Sequence, residues 1–385
     1  MLVVHMADQT EIAWADSTFN PWIGCTKVGP GCDNCYAKAD FDDRKHRVVW
    51  GPGQARSRTA PANWKKPLQW NKEAPHFHEC GACGMRWHSK TEAGRRACPS
   101  CGSSEHHVAR RRVFCASLAD VFDNEIDSQW RRDLFDLIRT TPNLDWLLLT
   151  KRIGNAVKML PWASDGAPGN MVAGGMVYPN VWLGATIVNQ EEADRDIPKL
   201  LEVPAAKRFL SMEPLLGPVD LTQVDDGAAH RDVPREEWGT VDDEDSPPGL
   251  WWNVLTGQRT IMHGGATGDW SRTDAKVDWV IVGGESGPNA RPMHPDWVRS
   301  LRDQCAAAGV PFFFKQHGEW LATEFCDDDM AMIPSKRTVY VGNHGSFHDG
   351  TGGVDFFGGD QETAWVGKKA AGRLLDGRTW DEVPA

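Results

Sequence analysis

Short apolar runs rich in β-branched and aromatic residues recur along the chain, each followed by turn residues and a helical pattern, as βα units are. The pattern predicts a strand over Val113–Ser117 before a helix over Ser128–Thr140, and a strand over Trp146–Thr150 before Gly154–Leu160. A third pair is Val181–Thr186 with Glu191–Leu201. Strands follow at Arg208–Ser211, at Trp279–Gly283 before a helix over Asp296–Ala308, and at Pro311–Lys315. With an N-terminal strand near Asn20–Ile23, the implied class is α/β, a partial (β/α) barrel of about six parallel strands with a possible seventh.

Two stretches break this rhythm. Residues 76–107 hold four cysteines and five histidines, and Val219–Lys276 has 12 acidic against 5 basic residues. Inside the acidic stretch, Leu250–Met262 reads as a hairpin turning at Thr256-Gly257. The expected organisation is residues 1–75 for the N-terminal strand, a cysteine loop and a basic segment, and 76–107 for an inserted zinc ribbon. Residues 108–320 form the barrel core with the acidic excursion 219–276, and 321–385 a Gly-rich tail. The tail is expected to end in a helix over Glu362–Leu375, stopped at Gly377.

At 385 residues, with 41% hydrophobic and 25% charged, the chain can bury a sizeable core. A net charge of -11 argues against a surface uniformly basic and coated with nucleic acid. No apolar run approaches the roughly 18 residues of a membrane helix, and residues 1–6 are too short for a secretory signal, so a cytoplasmic protein with no membrane partner is expected. Seven of the ten cysteines fall in two tight clusters, which in a reducing compartment favours metal over disulfides. Cys115, Cys305 and Cys326 are isolated and expected in the core.

In a β/α barrel the chemistry sits at the carboxyl ends of the strands. Those ends read Ser117-Leu118-Ala119-Asp120, Thr150-Lys151-Arg152, Thr186, Ser211-Met212-Glu213, Gly283-Gly284-Glu285-Ser286 and Lys315-Gln316-His317. Ser117, Asp120, Ser211, Glu213, Gly283, Gly284 and Glu285 are the candidate cofactor-binding residues. Paired glycines permit close backbone approach, and a glutamate accepts from an ammonium. Polar strand ends that merely face water are the alternative.

Just after the first predicted strand, Cys25, Cys32 and Cys35 stand in a C-x6-C-x2-C loop whose Gly29-Pro30-Gly31 turn lets the chain double back. Three thiolates on a cubic 4Fe-4S cluster leave one iron open to bind something exchangeable. A zinc site completed by His or water, or three inert thiols, are the alternatives.

Such a loop at the top of the first barrel strand resembles the radical S-adenosylmethionine superfamily. The segments Phe19–Cys25, Gly31–Ala37, Leu149–Arg152, Phe209–Leu216 and Val282–Gly287 resemble more narrowly a phage- and prophage-borne branch of it. Members of that branch are linked to hypermodification of thymidine in phage DNA, which protects against host restriction. There a radical isomerase moves a glycine from nitrogen to α-carbon attachment on the 5-methyl group. The resemblance implies that Cys25, Cys32 and Cys35 are catalytic and hold a 4Fe-4S cluster whose open iron chelates S-adenosylmethionine. An electron from a donor would split the sulfonium, and the 5'-deoxyadenosyl radical would take hydrogen from the glycine α-carbon in a redox-neutral reaction. The implied setting is the host cytoplasm, with other phage DNA-modification enzymes as partners. Two departures stand out: the superfamily's usual spacing is C-x3-C-x2-C, and its Gly-Gly-Glu-type contact follows the second strand. Here Gly283-Gly284-Glu285 follows a late one.

Cys80, Cys83, Cys98 and Cys101 make C-x2-C-x14-C-x2-C, the paired knuckles of a zinc ribbon; iron in the same cage, free thiols and, as the sharper rival, a second cluster bound by the four cysteines are the alternatives. The histidines nearby, His76, His78, His88, His106 and His107, are then surplus, on the surface or at phosphates. Residues 38–112 carry 16 Lys or Arg and 7 Asp or Glu, a local balance of +9. Basic residues such as Arg95 and Arg96, interleaved with Trp50, Trp64, Trp70 and Trp87, suit phosphates and base stacking, although a solvated face over core tryptophans fits as well. A thymidine substrate would have to be flipped out or single-stranded. Besides the isomerase, the sequence admits another radical modification or repair reaction on nucleic acid, or a non-catalytic zinc-ribbon DNA-binding protein on a degenerate barrel.

Overall fold

Seven strands lie side by side in chain order: β1 (Ser17–Phe19), β2 (Arg111–Cys115), β3 (Leu144–Thr150), β4 (Val181–Thr186), β5 (Lys207–Met212), β6 (Trp279–Gly283) and β7 (Phe312–Gln316). The pairings β1–β2, β2–β3, β5–β6 and β6–β7 are parallel. Neighbours in sequence being neighbours in the sheet is the order of a β/α barrel, and β1 and β7 are edges, so the class is α/β with a partial barrel. The computed structural model describes residues 10, 12–91, 94, 96–160, 178–225, 249–263, 266–325, 337–351, 353–355 and 359–384. Cys326, Arg95, Pro247-Pro248 and Gly264-Gly265 lie outside them.

The chain divides into two compact units. The first comprises Met1–Lys27, Ala37–Leu183 and Pro204–Ala206; the second comprises Val28–Tyr36, Gly184–Val203 and Lys207–Ala385. In the first, helices α1 (Pro61–Glu73), α2 (Ser128–Thr140) and α3 (Ile153–Met159) accompany β1 to β3. In the second, α4 (Gln190–Glu202) follows β4, and α5 (Pro295–Ala308) joins β6 to β7. Every residue of β2, β4 and β6 is buried, as strands covered on both faces are. Cys115 and Cys305 are fully buried, as expected of isolated cysteines. No described helix is long and apolar enough to cross a membrane.

Two expectations need correction. The first barrel strand is Ser17–Phe19, and Trp22–Ile23 instead pairs antiparallel with Ser57–Arg58. Pro21, with no N–H for a ladder, separates the two. The tail helix over Glu362–Leu375 is a strand over Gln361–Trp365, central with Thr338–Val341 in an antiparallel sheet, followed by a four-residue helix, Lys368–Ala371. Thr363 and Trp365 favour a strand, and Gly367 at φ 85° ends it. The hairpin is present as read: Gly249–Asn253 pairs with Gln258–His263, and Gly257 takes φ 78° in the turn.

Candidate functional site

In the first unit the carboxyl end of β3 carries a buried polar network. Asp120 accepts from Thr150 Oγ1 at 2.7 Å and Phe122 N at 2.9 Å through one oxygen, and from Lys151 N at 3.0 Å through the other. That second oxygen also receives Arg152 Nη1 at 3.3 Å. The same Nη1 lies 3.4 Å from Cys25 Sγ, and Nη2 donates to the Thr26 carbonyl at 2.6 Å. Burial pushes the Cys25 thiol up to about 11, against the pull of Arg152. Burial also works against the Arg152 charge, but Asp120 and Cys25 outweigh it and hold the guanidinium protonated. Beneath the loop, Arg56 pairs with buried Asp123 at 2.9 Å and donates to Thr26 Oγ1 at 2.7 Å. Ser117 is engaged with Asn20, at 3.1 and 3.3 Å.

The second unit holds the rest of the cysteine loop. Pro30–Cys32 forms a 3-10 turn in which Cys32 N donates to Gly29 O at 3.0 Å, and Cys35 stands just before a short helix, Tyr36–Lys38. Gly29 packs close to Glu192, whose Oε1 would lie 2.8 Å from a Cβ at that position. Buried Glu285 fixes this turn. It accepts from Asn34 Nδ2 at 2.9 Å and from Arg291 Nη2 at 2.7 Å, while Arg291 also donates to Asp33 at 2.9 Å and Pro30 O at 2.9 Å. Gly283 and Gly284 follow from packing: a Cβ on Gly283 would lie 2.5 Å from Glu213 Oε1, and one on Gly284 1.9 Å from the His317 carbonyl. Glu213 pairs with Lys315 at 3.0 Å, and Ser211 is buried.

In the first unit, Phe77–Cys80 pairs antiparallel with Arg86–His88 on one side and His106–Val108 on the other. The four cysteines of this insertion converge: Cys80 and Cys101 sulfurs lie 3.6 Å apart, Cys83 and Cys98 likewise, and all four sit within 4.8 Å of one another. Four ligands arranged tetrahedrally about one ion at about 2.3 Å sit about 3.8 Å apart, so this set can hold a metal. The thiols act on one another in opposite directions: burial pushes Cys98 up, but hydrogen bonds from the backbone of Cys101 and Ser100 and from the Cys83 and Cys101 thiols bring it down, while the neighbouring thiols raise Cys101. Gly84 at φ 70° and Gly102 at φ 73° close the two knuckles. One histidine differs from its expected place: His78 is buried and packs 5.5 Å from the Trp87 ring, because its strand turns that position inward.

Much of the local basic charge is balanced inside the unit. Arg58 pairs with Asp133, Arg110 with Asp145, Arg86 with Asp16 and Lys90 with Glu73. Trp70 and Trp87 are buried. Arg291, Arg56 and Asp123 carry no motif that singles them out in the sequence, since each acts through a partner more than five residues away. No curated protein and no solved structure matched the chain. One family model, described as "Protein of unknown function (DUF5131)", matches residues 9–384, and the chain belongs to that family.

Proposed function

We propose that the chain is a radical S-adenosylmethionine enzyme acting on phage DNA, isomerising glycine-modified thymidine from nitrogen-linked to α-carbon-linked during hypermodification. The observation that carries the reading is Cys25: its half-buried sulfur stands at the start of the C-x6-C-x2-C loop, with a charged guanidinium 3.4 Å away. A half-buried thiol that must ionise to act, as a metal-ligand sulfur must, is favoured by positive charge nearby. The donor set fits: three thiols, with no fourth cysteine in the loop, suit a cluster that keeps an exchangeable position. Once bound, the cluster with S-adenosylmethionine supplies a radical able to take hydrogen from a weakly activated carbon.

The protein's own residues orient and shield. Asp120 and Arg152 hold Cys25 and Thr26, and Glu285 with Arg291 holds Pro30, Asp33 and Asn34. Glu285 has both oxygens engaged by these partners, so its role is to fix the loop. In the insertion, thiolate spacing supports a single structural zinc in a ribbon, within a segment, residues 38–112, whose local balance of +9 suits a DNA strand.

Anaerobically reconstituted protein should be brown and should cleave S-adenosylmethionine when given an electron donor. Cys32→Ala should abolish cleavage while leaving the fold, by circular dichroism, intact; retained cleavage would refute the ligand assignment. Colourless protein with zinc and no iron would favour a DNA-binding ribbon on a degenerate barrel. The substrate is tested by mass spectrometry of nucleosides from phage DNA made with and without this chain, and an unchanged thymidine profile defeats the isomerase.

A further inference from the structure

We infer that Arg152 is a positioning residue that sets the electron affinity of the three-cysteine centre through Cys25, with Asp120 as its anchor. The inference rests on the reading of Cys25, Cys32 and Cys35 as cluster ligands. Its geometry stands on three contacts of one guanidinium: Cys25 Sγ at 3.4 Å, Asp120 Oδ2 at 3.3 Å and Thr26 O at 2.6 Å. The side chains of Arg152 and Asp120 are only 8% and 6% exposed, so water screens the contact weakly.

The fork is also fixed from behind. Asp120 is held by Thr150 Oγ1, Phe122 N and Lys151 N, and Arg152 N donates to Thr150 Oγ1 at 2.8 Å. Strand β3 therefore ends in a turn that aims a permanent cation at one sulfur. A guanidinium offers five donors in a rigid plane and can serve a carboxylate, a carbonyl and a sulfur together. An ammonium is a point charge and cannot reach all three from the same stem. Hydrogen bonds to ligand sulfurs and the charge near them set iron–sulfur potentials. A fixed cation donating to Cys25 stabilises the more negative, reduced state, so Arg152 makes the centre easier to reduce. In an enzyme that begins by passing one electron to a sulfonium, that contact governs when the reaction can start.

The test is a dithionite titration of anaerobically reconstituted wild type, Arg152→Gln and Arg152→Lys, followed by electron paramagnetic resonance. In Arg152→Gln the ratio of reduced to oxidised cluster at a fixed potential should fall tenfold or more, about 59 mV for one electron. Arg152→Lys should fall by a smaller factor, at least about threefold, about 28 mV for one electron. A purely structural role would lower the melting temperature of both variants without moving the potential. An unchanged potential in Arg152→Gln overturns the inference. If that variant holds no cluster, Arg152→Lys decides, and an unchanged ratio there overturns it equally. Wild type that never takes up a cluster overturns instead the reading on which the inference stands.

Discussion

At Gly284 a side chain would collide with the backbone of the chain segment after β7: an added Cβ comes within 1.9 Å of the His317 carbonyl. Backbone cannot swing aside as a side-chain end can, so Gly284→Ala should destabilise the protein by at least about 2 kcal/mol, read by thermal or urea unfolding. Gly309 is the contrast. It takes φ 66° at the end of α5 with open space around it, so Gly309→Ala should cost only about 1 kcal/mol, the strain of a left-handed residue. If the two variants melt alike, the close approach at Gly284 is wrong. Gly283-Gly284 was legible in the sequence as a place where backbone comes near something. What it comes near was not, because Glu213 and His317 are reached only through the fold. Cys25 is similar: its place in a three-cysteine loop was visible in the spacing, whereas the guanidinium on its sulfur comes from the turn after β3, 127 residues away.

Elements with a long, regular period were the readable ones. Helix α2 spans Ser128–Thr140, the same bounds the apolar period gives, because Asp127 caps it by accepting from Gln129 N at 2.7 Å. Asp127→Ala should therefore cost about 1 kcal/mol in urea unfolding, and Asp127→Asn much less, since an amide oxygen caps as well. The tail was misread because a short run such as Gln361–Trp365 fits strand and helix alike, and only pairing with Thr338–Val341 decides between them. Helix α5 gives a pH prediction. Hydrogen bonds from Arg299 and Arg302, against the opposing effect of burial, hold the Asp376 carboxyl below its usual range. Its folded value lies below the unfolded one, so its contribution is complete above the ordinary carboxylate range and is lost as pH falls through the depressed value. Asp376→Asn should flatten the acid limb of stability by less than about 1 kcal/mol, because the group is partly exposed. An identical acid limb in the variant would contradict that pairing.

Across the whole molecule the charge is divided unevenly, with a balance of +9 in residues 38–112 of a chain that carries -11 overall. Many of those cations meet carboxylates within their own unit, such as Arg58 with Asp133 and Arg110 with Asp145, so less of that charge is open to a polyanion than the sequence alone suggests. Binding to single-stranded DNA should accordingly show a shallow salt dependence, a slope near that of a few phosphates, rather than that of a wholly basic protein. A steep slope would mean that the ion pairs open on binding. The parallel order of the strands and the two cysteine groupings were legible from spacing. The networks that hold the three-cysteine loop, through Asp120 and Arg152 in one unit and Glu285 and Arg291 in the other, were not, since such ion pairs leave no period in the sequence. The claim on which the account depends is that Cys25, Cys32 and Cys35 are iron ligands, and metal analysis of anaerobically reconstituted protein tests it most directly. Wild type should hold roughly four irons and one zinc per chain, and Cys32→Ala should lose the iron while keeping the zinc. Wild type that binds zinc alone, or a Cys32→Ala variant with its iron undiminished, would contradict it.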